Sequence, residues 1–312
     1  MKDFKNWGLK VRTYPEYNYK ALWHNLKTIR VGESKVKELP IDEKEFYDVA
    51  INTTCNAGCN FCYVSAGKNG INYPNICETW KRWMDDFKDE IDELATYTNK
   101  PFQIAIGSTG EPTMHPDFCD FLETVSNTGV VPNYTTNGII LASWCNPLSE
   151  NHELANKILE YTSKYVGGVA VSFGNKSIRP WAREAINGLI AKGNTNINIH
   201  HLISTKESVD EFVAEYLRYG DSIAYHVLLP LMPAGRSTKG IENGVWEYLE
   251  EIIIKNNLHN IAFGAHFIEN LKTSKVKTWL YDEHSLSANC LLKPDGIVLT
   301  KSSFDLTPIK VI

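Results

Sequence analysis

Three cysteines stand within eight residues, Cys55, Cys59 and Cys62, at the spacing C-x3-C-x2-C. Thiolates are metal ligands, and three at this spacing can turn toward one point, with Gly58 giving the backbone freedom to curl around whatever they hold. Three sulfurs are too few to close a structural tetrahedral site, which takes four protein ligands. They suit a metal centre with one position left open. The plainer reading is a zinc knuckle completed by Cys77 or His115. Zinc does not require the second feature, Gly110-Glu111-Pro112, which follows a buried-looking strand. Alone, Glu111 would read as a loop carboxylate favoured at a helix N-terminus. Beside the triplet it reads as part of a site.

Other candidates carry weaker signals. His200 and His201 are consecutive on one strand and must point to opposite faces, so at most one can face an interior. Each reads first as a hydrogen-bonded core or interface histidine, as do His226 and His266. Arg236 can pair bidentately with a carboxylate or cap a loop. Cys77, Cys119, Cys145 and Cys290 read as small buried hydrophobes.

The elements that must position these residues follow a strand–helix alternation from residue 47 onward. Strands are expected at 47–55, 102–107, 131–136, 168–173, 196–203 and 223–229. Helices are expected at 78–97, after Pro116, and at 152–165, 180–192 and 208–219. Such alternation demands a parallel sheet. Six units are fewer than the eight of a closed barrel, so the expected fold is α/β, a partial six-unit (β/α) barrel with the cysteine loop at the C-terminal end of its first strand. Residues 1–46 form an N-terminal extension with a hairpin at 27–39 turning on Gly32 and covering an edge or open end. Residues 47–236 form the barrel. Residues 237–312 form a short α+β lid with a helix at 245–256, a strand at 261–263 and a hairpin turning on Pro294-Asp295-Gly296.

Totals narrow the class. A chain of 312 residues that is 43% hydrophobic can bury a large core. The net charge of -5, without a Lys/Arg run, makes nucleic acid a poor partner. No apolar stretch approaches membrane-spanning length, so a cytoplasmic location without membrane contact is expected. Seven cysteines, three of them clustered, point to a metal site and thiols in a reducing compartment.

The triplet with Phe61 before its last cysteine resembles the radical S-adenosylmethionine superfamily. Gly110-Glu111-Pro112 is similar to that family's Gly-Gly-Glu-Pro segment, with Thr109 in place of the first glycine. The resemblance implies one 4Fe–4S cluster on Cys55, Cys59 and Cys62, with S-adenosylmethionine on the open iron. It places Phe61, Gly110, Glu111, Asn137 (in Thr136-Asn137-Gly138) and Ser172 at that cofactor. The implied chemistry is a 5′-deoxyadenosyl radical that abstracts hydrogen, fed by a flavodoxin- or ferredoxin-type electron donor. Residues 228–236 with Cys290 and the turn at 294–296 resemble peptide- and protein-modifying members, though with too few cysteines for an auxiliary cluster; Lys301 stands where a further cysteine is expected. The expected reaction is epimerisation or cross-linking of a peptide. Small-molecule, nucleotide or cofactor biosynthesis is the second class, and a non-catalytic cluster- or zinc-binding relative the third. A thiol can quench a substrate radical, and Cys290, then Cys145, are the candidates for that catalytic role.

Overall fold

The structure is a computed structural model that describes residues 7–32, 39–276, 287–294, 296–300 and 307–312. The chain opens with an antiparallel meander of β1 (Lys10–Tyr14), β2 (Tyr19–His24) and β3 (Lys27–Gly32). Alternation along β2 buries Tyr19, Ala21 and Trp23 on one face. The β2–β3 turn falls at Asn25 and Leu26, both at positive φ (48° and 64°), the backbone that suits a two-residue hairpin. The expected turn at Gly32 is therefore corrected. Gly32 ends β3 opposite Tyr19, where a side chain would run into the Asn18 carbonyl. The remainder of that expected hairpin, 33–38, lies outside the described residues.

The alternation then begins with β4 (Phe46–Ala50) and α1 (Ile76–Asp85). Here the sequence expectation fails again, because the helix stops at Asp85 and does not continue to 97. The Asp92 carboxylate accepts the Leu94 and Ala95 amides, each at 2.7 Å, and turns the chain between β5 (Glu90–Ile91) and β6 (Thr96–Tyr97). β6 pairs with β1, so this segment joins a five-stranded sheet ordered β3-β2-β1-β6-β5. Ile91 and Leu94, which lie within the expected helix at 78–97, are 79% and 84% exposed.

Further along come β7 (Gln103–Ile106), α2 (Phe118–Asn127), β8 (Val131–Thr136), α3 (His152–Tyr165), β9 (Val169–Ser172) and α4 (Arg179–Ala191). They are followed by β10 (Ile197–Ile203), α5 (Lys206–Tyr219), β11 (Tyr225–Pro230), α6 (Val245–Lys255), β12 (Ile261–Phe263) and α7 (Ile268–Thr273). Last come β13 (Ser287–Lys293), β14 (Gly296–Thr300) and β15 (Pro308–Val311). The main sheet has the order β12-β11-β10-β9-β8-β7-β4-β13-β14-β15. Every pairing from β12 to β13 is parallel, and the last two are antiparallel.

Helices pack on one face of this sheet. Val49, Ile104, Ile106, Tyr134, Val171 and Ile199 meet Trp80, Trp83, Phe118, Phe121, Leu159 and Ile186 in one buried cluster. A second cluster joins Val209 and Phe212 of α5 to Leu228, Leu249 and Ile253. The N-terminal sheet covers the opposite end from the cysteine loop. Glu45, just before β4, is buried and accepts Tyr19 Oη at 2.7 Å and Arg30 Nε at 3.2 Å.

The C-terminal hairpin does not lie over the cleft as a lid. β13 continues the sheet beside β4, with Cys290 opposite Val49. An apolar strand of this kind, flanked by β4 on one side and β14 on the other, is most stable inside the sheet.

Candidate functional site

β4 delivers the chain into a loop that folds back on its own root. The Thr53 amide donates to Ile71 O at 2.8 Å, Cys55 N to Gly67 O at 3.0 Å and Tyr73 N to Ile51 O at 2.9 Å. Within the loop, Cys62 N reaches Cys59 O at 3.4 Å and Ser65 N reaches Cys62 O at 3.2 Å. The segment after β11 clasps the loop from outside. Arg236 donates through Nη1 to Cys59 O at 2.6 Å, through Nη2 to Ala66 O, and from its backbone to Cys62 O at 3.0 Å. Gly235 sits at φ +60°, with no room for a Cβ against Cys62 O. Of the two roles the sequence left open for Arg236, the structure places it at the loop carbonyls.

The turn after β7 is fastened to the same root. Glu111 N donates to Thr54 O at 2.8 Å, Thr109 Oγ1 to Asn52 O at 2.7 Å, and Asn52 Nδ2 to Glu111 O at 2.9 Å. Thr109, in place of the first glycine of the segment it resembles, thus adds an anchor. Gly110 is pressed so closely on Asn52 that a Cβ would lie 2.6 Å from its Oδ1. Glu111 is 3% exposed. Its carboxylate accepts Thr113 Oγ1 at 2.6 Å, Thr136 Oγ1 at 2.8 Å and the Asn137 amide at 2.7 Å. Burial pushes its pKa up, and these hydrogen bonds pull the other way.

The ends of β8 and β9 complete the wall. Asn137 Nδ2 lies 2.8 Å from Asn56 Oδ1 and 3.8 Å from Cys55 Sγ. Asn175 Nδ2 lies 3.3 Å from Ala57 O and 3.4 Å from Cys59 Sγ. Gly174 accommodates the Phe61 ring, whose Cζ would be 3.0 Å from an added Cβ. Burial raises the thiol pKa of Cys55 and of Cys59, and in Cys59 the Asn175 hydrogen bond opposes that rise.

These parts enclose a cleft of about 420 Å³, a size typical of small-ligand sites. Cys55, Cys59, Cys62, Phe61, Gly110, Glu111, Asn137 and Ser172 all line it. Asp48, Asn175, His200 and His266 line it too, although the sequence did not single out the first two and read the histidines as core. Period-two alternation was the available signal for His200 and Asp48: both interrupt apolar strands on the face opposite their helix-packed neighbours. Burial pushes the His200 pKa down to about 4, so its imidazole is neutral near pH 7. His201 turns to the helix side and meets His226 Nδ1 through Nε2 at 2.9 Å, as expected of a core histidine.

Two expected residues do not reach the cleft. Cys290 is fully buried among core residues on the Val49 side of the sheet, and burial pushes its thiol pKa well up. Cys145 is exposed at the end of a 3-10 turn, Leu141–Cys145. The zinc alternative also loses its fourth ligands. His115 uses Nε2 on Tyr73 O at 2.9 Å and Nδ1 on the Asp117 amide at 3.1 Å, and Cys77 packs against the core. Among the described residues, no three His, Cys, Asp or Glu side chains gather as ligands of a single ion.

Comparison with known proteins bears on the same residues. Residues 49–152 match the radical SAM superfamily. Mycofactocin maturase MftC of Mycobacterium tuberculosis is 27% identical over 191 residues, which is 59% of this chain and 44% of that protein. The Mycobacterium ulcerans maturase is 28% identical over 203 residues, covering 62% and 48%. The chain thus spans less than half the length of these curated relatives. Streptococcus suis SuiB bound to its precursor peptide SuiA superposes with a TM-score of 0.56 at 14% identity, over 82% of this chain and 59% of that one. SuiB bound to S-adenosylmethionine gives 0.54 at 14%, over 82% and 60%. At such identity the likeness establishes a shared fold, mixed α/β on a parallel sheet. Over residues 49–152 the chain is thus similar to the radical S-adenosylmethionine superfamily, a superfamily that uses a 4Fe–4S cluster and S-adenosylmethionine.

Proposed function

We propose that the chain removes a hydrogen atom from a peptide or protein substrate, in a modification of the epimerisation or cross-linking type. The observation that carries this reading is the hydrogen-bonded union of the cysteine loop with the Gly110-Glu111 turn on one cleft. The donor set fits the cofactors: three thiols without a fourth protein ligand among the described residues, two carboxamides aimed at the sulfurs of Cys55 and Cys59, and a buried Ser108 hydroxyl in the wall that has no hydrogen-bond partner there. Cys55, Cys59 and Cys62 would hold the cluster, and Gly110, Glu111, Asn137 and Ser172 would border S-adenosylmethionine. Bound together, these cofactors supply a hydrogen-abstracting 5′-deoxyadenosyl radical after one-electron reduction. The protein's own contribution is to fix the loop and to line the cleft with Phe61 and other apolar side chains, Leu229, Leu231 and Met232 among them.

The peptide substrate rests on the similarity to a maturase and on a fold shared with a protein solved with its precursor peptide. The reading includes a sheet curved into a partial six-unit barrel, because Asp48, Ala105, Thr135, Ser172, His200 and Leu229 come from six strands and face one cleft. It also includes an N-terminal extension (1–46), a catalytic core (47–236), a C-terminal extension (237–312) and an external flavodoxin- or ferredoxin-type donor.

Anaerobic reconstitution, reduction and incubation with S-adenosylmethionine should yield 5′-deoxyadenosine, and Cys59→Ala should abolish it. Candidate peptides incubated in D2O should gain deuterium on epimerisation or lose two hydrogens on cross-linking. A fully loaded cluster that yields no 5′-deoxyadenosine would end the enzymatic reading. Turnover of a metabolite beside unchanged peptides would move the substrate to small molecules.

A further inference from the structure

Two asparagines outside the cysteine loop reach its sulfurs by the same device. Asn137 follows β8 and Asn175 follows β9. In each, the side-chain oxygen is occupied by a backbone amide two residues on: Ile139 N at 2.9 Å for Asn137, and Ser177 N at 3.1 Å for Asn175. Ser177 Oγ adds a second donor to Asn175 Oδ1 at 2.8 Å. An amide oxygen that accepts these donors fixes which end of the carboxamide is NH2. The NH2 group must then face the loop, where it meets Cys55 Sγ at 3.8 Å from Asn137 and Cys59 Sγ at 3.4 Å from Asn175. Each NH2 also holds an oxygen of the loop, Asn56 Oδ1 and Ala57 O respectively, so neither donor can swing away without breaking a second bond.

Hydrogen bonds to the cysteine sulfurs are among the factors that set the potential of an iron–sulfur cluster, and partners of this kind tune a metal through its ligands. A donor withdraws electron density from a thiolate and favours the more negative, reduced cluster. Resting on the cluster assignment above, we propose that Asn137 and Asn175 are positioning residues that act through Cys55 and Cys59 to raise the cluster's reduction potential. They bring it within reach of a biological one-electron donor.

The test is a redox titration of the reconstituted full chain followed by electron paramagnetic resonance, without S-adenosylmethionine or substrate. Asn175→Ser keeps a hydroxyl acceptor for the Ser177 amide but is too short to reach Cys59. Asn175→Asp keeps the turn and replaces the donor with an acceptor. With cluster content matched to the unsubstituted chain, both variants, and Asn137→Ser, should shift the midpoint potential to more negative values. The serine double variant should shift it further than either single. An unchanged midpoint in the serine variants overturns the proposal, and a shift confined to Asn175→Asp does so too, since added charge alone explains it. If a serine variant loses cluster, Asn175→Gln, which returns an NH2 group, is the control: restored cluster content with a restored potential supports the proposal, and restored content without it overturns it. Failure of the unsubstituted chain to bind any 4Fe–4S cluster would instead overturn the functional reading itself.

Discussion

Arg236 shows how much of the site depends on a residue that faces away from the chemistry. Its guanidinium and its backbone amide hold three carbonyls of the cysteine loop, from Cys59, Ala66 and Cys62. Lysine is a point charge with no planar fork. Arg236→Lys should therefore lose about 1–3 kcal/mol of loop anchorage and retain less iron per chain after desalting, while far-ultraviolet circular dichroism stays unchanged. The chemistry-bearing residues that were legible in the sequence are those whose spacing is local: three cysteines on one turn and a glycine–glutamate pair on another. Asn175 was not legible, because its contact with Cys59 spans 116 positions and no local pattern distinguishes a side chain that caps its own turn from one that also reaches a sulfur. Cys290 misled for the converse reason. Its residue type suggested radical chemistry, whereas its strand turns it into the core.

Among elements, the strand–helix alternation was readable because each of its helices presents an apolar stripe and each of its strands a short apolar run. The early end of α1 was not. Trp80, Trp83, Phe87, Ile91 and Leu94 keep helical spacing, yet only the first two are buried core. Trp83→Ala should cost about 3–5 kcal/mol, and Leu94→Asp should stay within about 0.5 kcal/mol, a contrast that urea unfolding would measure. The facing pair on β10 and β11 gives an acid dependence. Burial holds the pKa of His201 well below its usual value and pushes that of His226 down to about 4. The unfolded chain takes up protons near pH 6.5 while the folded one does not. Stability present above pH 6.5 is thus lost as the pH falls toward 4. Thermal melts should show a steep decline over that window, and His201→Phe with His226→Leu should flatten it.

For the whole molecule, the parallel sheet and its cleft end were foreseeable, but the place of the C-terminal hairpin was not. Its turn at 294–296 was evident from composition, whereas the choice between lying over the cleft and joining the sheet depends on which unpaired edge is nearby, a tertiary fact. β13 found the open edge of β4. Cys290→Ala should then act as a small core truncation. It should cost about 1 kcal/mol and leave the product of the reaction unchanged by mass spectrometry and chiral amino-acid analysis. A change in product would return Cys290 to the chemistry.

The pairing of β13 with β4 also has a consequence for how the protein comes into being. The strand that carries the cysteine loop gains β7 on one side after about 57 residues, Val49 lying opposite Ile106, but its other neighbour is translated about 240 residues later, Cys290 lying opposite Val49. During synthesis at roughly 5–20 residues per second, β4 therefore spends roughly ten to fifty seconds with a bare edge, the kind of surface that recruits foreign strands. Contacts of such long range are slow to form. The thiols that hang from that strand emerge early, while the sheet that steadies them closes last.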